Sequence, residues 1–70
     1  MQYVTKTMII GEILQINPGL VPILLNSGMH CLGCPSSQVE SLQDACEVHG
    51  INVDSLVDKL NEYLTVLQNN

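Results

Sequence analysis

The chain of 70 residues has no tryptophan and no phenylalanine, and its only aromatic rings belong to Tyr3 and Tyr63. Its core must be assembled from aliphatic side chains. Such a core holds a fold together but leaves no room for a deep internal pocket, so any chemistry is expected at the surface or in a shallow cleft. Positive charge is equally scarce. Lys6 and Lys59 stand against seven carboxylates, for a formal net charge of −5. Nucleic-acid binding rests on clustered Lys and Arg that neutralise phosphates, so a nucleic acid is not an expected partner, and neither is an anionic membrane surface. No apolar run approaches the ~20 residues that a membrane span requires, and the first residues lack the charged-then-apolar pattern of a secretory signal. The three cysteines are an odd number and cannot close a disulfide framework among themselves. A reducing cytoplasmic setting fits best. There a close pair of thiols is more often catalytic or metal-binding than structural.

What is present is a series of short amphipathic segments, read as a single domain over residues 1–70. Residues 1–6 form an extended arm, too short to make a sheet alone. Ile10, Ile13 and Leu14 recur at i, i+3, i+4 and predict a first helix. Thr7 is its candidate cap, and Asn17-Pro18 its end, because the residue before proline disfavours helix. Leu20, Val21, Leu24 and Leu25 predict a second helix, with Pro22 tolerated in its first turn and Gly28 placed to terminate it. A short helix is expected to begin within residues 29–37 and to run to about Val39. Ser41 followed by Asp44 reads as the cap and third position of the next helix. Leu42, Ala45, Cys46 and His49 share one face of it, and Gly50 stops it. Asn52 caps the last helix, whose stripe of Val53, Leu56, Val57, Leu60, Leu64 and Leu67 is the clearest 3.6-residue pattern in the chain. The expected fold is all-α: a small bundle-like array of about four to five short helices.

The most informative motif is Cys31-Leu32-Gly33-Cys34-Pro35, at a junction between loop and helix N-terminus. Two thiols at this spacing can reach one another or one metal ion. A thiolate is the attacking species in disulfide exchange, and a helix N-terminus lowers a thiol pKa through its unpaired N–H groups and dipole. Either cysteine can be the capping residue, depending on where the helix starts. By analogy with other CxxC enzymes Cys31 is the attacking thiol and Cys34 the resolving one. Gly33 allows the tight closure. Pro35 suits a helix start. His30 as imidazolium would stabilise a neighbouring thiolate, or it is a solvated loop histidine. Met29 reads as an apolar plug beneath the motif.

The same residues allow a metal. Cys31, Cys34, Cys46 and His49 together make a plausible Cys₃His zinc set, and a metal would help so small a chain stay folded. Against this, Cys46 lies on the apolar stripe with Leu42 and Ala45, and free cysteine is among the most buried residue types. His49, just before Gly50, also suits the C-terminal end of a helix dipole without any ligand role. An iron–sulfur cluster is weaker still, since three cysteines leave a ligand to be found elsewhere. No cofactor is the favoured expectation, with zinc the alternative.

Gly28-Met29-His30-Cys31-Leu32-Gly33-Cys34-Pro35, followed by Glu40, Leu42, Ala45 and His49-Gly50-Ile51, resembles the DUF1858 family, also described as a hybrid-cluster-protein-associated redox disulfide domain. Met8-Ile9-Ile10-Gly11-Glu12-Ile13-Leu14 looks like that family's opening segment, so the resemblance covers nearly the whole chain. It implies a small all-helical domain, found alone or appended to other proteins, often in anaerobic microbes. It also implies a disulfide role for Cys31 and Cys34. Ile9 departs from the pattern, standing where a capping Thr is expected. The leading expectation is a cytoplasmic thiol–disulfide redox module that works with a protein partner. A zinc site and a non-catalytic interaction module are the alternatives.

Overall fold

In a computed structural model of the chain, residues 3–29 and 38–68 are described. They form four helices, α1 (Ile10–Ile16), α2 (Leu20–Asn26), α3 (Leu42–His49) and α4 (Val53–Gln68). The described residues include no strand, so the domain is all-α as its periodicities predict.

The first helix starts at Ile10, with Ile9 and not Thr7 as its cap. Isoleucine has no acceptor to offer the helix. Two other groups compensate. The Glu12 carboxylate accepts from the Ile9 N–H at 3.2 Å, and the Glu40 carbonyl accepts from the Ile10 N–H at 2.9 Å. The second of these belongs to an isolated antiparallel bridge between Ile9 and Ser41. Across it the Leu42 N–H returns a bond to the Met8 carbonyl at 2.8 Å. The caps of α1 and α3 are therefore paired side by side. The N–H groups that open α3 are all taken by protein acceptors: Leu42 by Met8, Gln43 by the Lys6 carbonyl, and Asp44 by the Ser41 hydroxyl at 3.1 Å.

Asn17 Oδ1 accepts from the Gly19 N–H at 2.7 Å and turns the chain into α2. Asn52 Oδ1 accepts from the Ser55 N–H at 3.1 Å and caps α4. Both α2 and α3 end in a Schellman pattern. Gly28 (φ 114°) and Gly50 (φ 69°) occupy backbone conformations that side-chain-bearing residues avoid. The N–H of Gly28 bonds to Leu25 and that of Met29 to Leu24, while Gly50 bonds to Glu47 and Ile51 to Cys46.

The core is aliphatic. It collects Ile10 and Ile13 from α1, Leu20 and Leu24 from α2, Leu42, Ala45 and Cys46 from α3, and Leu56, Leu60 and Leu64 from α4, with Val4 and Met29. Val53 and Val57 pack at its edge. Three positions assigned to the core faces by periodicity are exposed: Leu25 and Leu67, and His49. The arm is held more firmly than its sequence suggests. Val4 is buried, and its backbone makes two bonds with one side chain, donating to Asn61 Oδ1 at 2.6 Å and accepting from Asn61 Nδ2 at 2.9 Å.

Candidate functional site

His30, Cys31, Gly33, Cys34 and Pro35 all lie outside the described residues. What can be built from the structure is the frame on either side of them.

The frame begins at Met29. The Schellman turn after α2 aims this residue inward, and its side chain is buried as the expected plug. The turn is backed by α3. The Ile51 side chain lies over Gly28, with its Cδ1 3.6 Å from where a Cβ on that glycine would stand. The same Ile51 N–H closes α3 on the Cys46 carbonyl at 2.8 Å. Two helix ends thus brace each other immediately before residue 30.

The frame resumes at Gln38. This residue has helical backbone, and the chain turns out of it at Val39 and Glu40. The short helix expected to begin within residues 29–37 and to run to about Val39 lies, apart from Gln38, outside the described residues. The Gln38 carbonyl lies against the first turn of α1. A Cβ built on Gly11 would stand 3.1 Å from that oxygen. Two residues later Glu40 is tied to Ile10, and Ser41 is paired with Ile9. Periodicity and capping rules give no sign of this junction, because it is a contact between backbones far apart in sequence. The signal that was available is a glycine inside an amphipathic helix, which often marks a close approach.

Of the other candidate residues, Cys46 is 1% exposed, a free thiol within the core. Burial pushes its pKa up, because an apolar environment disfavours the thiolate. A thiol kept neutral and covered is a poor nucleophile. His49 is exposed at the end of α3. Among the described residues no group of three or more His, Cys, Asp or Glu could hold a metal ion, but two of the four residues of the zinc alternative, Cys31 and Cys34, lie outside that set.

Residues 4–57 match the family described as a domain of unknown function, DUF1858. The chain belongs to the DUF1858 family. Two solved structures carry the same fold. One is the solution structure of a protein from Clostridium thermocellum, 55% identical over 96% of both chains, with a TM-score of 0.85. The other is the solution structure of an uncharacterized protein from Methanocaldococcus jannaschii, 36% identical, covering 87% of this chain and 84% of that one, with a TM-score of 0.79. No curated protein matches the chain. The family match spans both halves of the frame, from the docked arm at Val4 through the bridge between Ile9 and Ser41 to the first turns of α4. Two depressions on the described part of this DUF1858 domain are open to solvent. One, of about 400 Å³, is lined by Tyr3, Met8, Glu12, Gln15 and Ile16. The other, of about 380 Å³, is lined by Ile23, Lys59, Glu62, Tyr63 and Val66. Neither is enclosed, and neither lining includes a candidate site residue. No helix among the described residues is long and apolar enough to cross a membrane.

Proposed function

We propose that Cys31 and Cys34 form a thiol–disulfide redox couple that acts on a protein partner in the cytoplasm. The observation that carries this reading is the withdrawal of the third thiol. Cys46 is packed among core side chains with its pKa raised. That leaves the CxxC pair, three apart around Gly33, to supply any thiol chemistry. In the exchange, the Cys31 thiolate attacks one sulfur of a partner disulfide. The partner's S–S bond breaks, a mixed disulfide forms, and the departing partner thiolate takes a proton from solvent. The Cys34 thiolate then attacks the Cys31 sulfur and releases the second partner thiol. The products are a Cys31–Cys34 disulfide and a partner dithiol, two electrons having passed to the partner. A dithiol reductant returns the couple to its starting state.

The test is mass-mapped alkylation before and after mild oxidation, with metal analysis of the same sample. Cys31 and Cys34 should become protected together, with a loss of two hydrogens in mass, while Cys46 remains a reduced thiol throughout. Equal alkylation of Cys31 and Cys34 under both conditions overturns the proposal. Stoichiometric zinc that is lost on Cys46→Ala replaces it with the metal-site reading.

A further inference from the structure

We infer that Met8 is an oxidation site, and that its sulfoxide frees the N-terminal arm from the fold. The inference is independent of the cysteine chemistry above. Its first support is access. Met8 is half-buried, with part of its side chain packed against the core. It also lines the open depression that it shares with Tyr3, Glu12, Gln15 and Ile16. Met29, by contrast, is 2% exposed. Its second support is what the sulfur holds. Met8 Sδ accepts from the Thr5 N–H at 3.3 Å, and the Met8 N–H donates to the Thr5 carbonyl at 3.2 Å. Residues 5 and 8 are thus bonded in both directions, which closes the turn between the arm and α1. The arm's other fastenings are close by. Val4 is clamped by Asn61 at 2.6 and 2.9 Å, and the Lys6 carbonyl accepts from the Gln43 N–H at 2.9 Å.

The oxidant is hydrogen peroxide. A lone pair of the Met8 sulfur attacks one peroxide oxygen; the S–O bond forms as the O–O bond breaks, and the other oxygen leaves as water with both hydrogens. The sulfur is oxidised by two electrons and the peroxide reduced by two. A thioether is a weak acceptor that packs well against apolar side chains, whereas a sulfoxide is polar. A new oxygen pointing toward Thr5 fills the space between the sulfur and the N–H, so the arm must move outward. An oxygen pointing inward meets the core side chains. An oxygen turned to solvent leaves the Thr5 N–H facing a sulfur drained of electron density. Each arrangement gives up the closed turn. The junction behind it survives, because the Met8 carbonyl stays bonded to the Leu42 N–H at 2.8 Å and Ile10 to Glu40 at 2.9 Å. Oxidation therefore loosens the arm and not the helices.

Trypsin reads this directly, because the chain has two basic residues. Lys6 is exposed in the turn, and Lys59 lies within α4. Cleavage after Lys6 reports release of the arm, and cleavage after Lys59 reports opening of the domain. The folded chain is treated with hydrogen peroxide and each added oxygen is assigned by fragment mass. Met8 should be oxidised well before Met29. Cleavage after Lys6 should then rise about threefold or more, as proteolysis follows the population of the open form, while cleavage after Lys59 stays unchanged. Methionine sulfoxide reductases of both epimer specificities should reverse the rise. Met8→Leu keeps the volume and all three cysteines, so under the same peroxide it should show no rise. Met8→Gln, polar at the same length, should show the rise without peroxide. If Met8→Leu does not fold, reversal by the reductases makes the same distinction in the natural chain. Oxidation of Met29 as readily as Met8 in the folded chain overturns the assignment of the site. Unchanged cleavage after Lys6 in a chain carrying the Met8 sulfoxide overturns the release of the arm.

Discussion

Burial holds the Cys46 thiol in its neutral form. Its neutral form is favoured in the fold, so its pKa is raised above that of the unfolded chain. The consequence for stability follows in sign. Below the unfolded thiol pKa of about 8.5 both states hold the proton and the group adds no pH dependence. Above it the unfolded chain releases the proton while the native one keeps it, so stability falls as pH rises. The difference in melting temperature between wild type and Cys46→Val should therefore be flat from about pH 6 to 8. It should move in favour of the variant above about pH 9, where unfolded thiols ionise. Thermal melts across that range, under reductant, check this. A difference that stays constant up to pH 10 would show that Cys46 is not covered as described. The substitution should leave formation of the proposed Cys31–Cys34 disulfide intact.

At the scale of the helices, stability is concentrated in α4. Leu56, Leu60 and Leu64 are buried at 2%, 0% and 4% on its inner face. Leu60→Ala should cost about 2–5 kcal/mol, as comparable core truncations do. In so small a domain that is enough to abolish the cooperative melt, and urea denaturation will measure it. Asn61, one residue on, holds the arm through both of its amide atoms. Asn61→Ala should cost about 1–3 kcal/mol and make the bond before Val4 sensitive to protease. These two neighbours also mark the limit of what the sequence reveals. The Leu60 stripe is local, repeating within one helix, and it can be read by counting. The caps at Ser41 and Asn52 and the stop at Gly50 act within a few residues and are equally legible. The Asn61 clamp joins residues 57 apart, so no short-range pattern announces it. The same holds for the Ile9 cap, which depends on Glu40 across the bridge. Periodicity also overreaches where a helix outlasts its neighbours. A helix of 16 residues is about 24 Å long, against about 12 Å for the eight of α3. Leu67, in its last turn, is 42% exposed.

At the scale of the whole molecule, the composition and the architecture argue for the same kind of substrate. The core is aliphatic, and the two depressions seen on the described residues, of about 400 and 380 Å³, are open to solvent. Enclosure of a small ligand normally removes most of its surface from water, and neither depression provides that. Met29 and Val39, the described apolar residues nearest the motif on either side, differ in exposure. Met29, on the N-terminal side, is buried, whereas Val39, just past the C-terminal side, is 72% exposed. A protein surface that carries a disulfide can use such an exposed apolar residue, and a small disulfide gains little from it. The argument leads to a trapping experiment. With Cys34→Ser the resolving thiol is absent, so the mixed disulfide on Cys31 cannot be released and should persist. Non-reducing isolation of that variant from its native host should yield a recurring protein adduct that disappears with reductant. Adding Val39→Asp to it should lower the yield of that adduct without changing the rate at which Cys31 reacts with a small alkylating reagent. Recovery of glutathione or free cysteine alone on Cys31 would overturn the protein-partner proposal and turn attention to low-molecular-weight disulfides as the substrate.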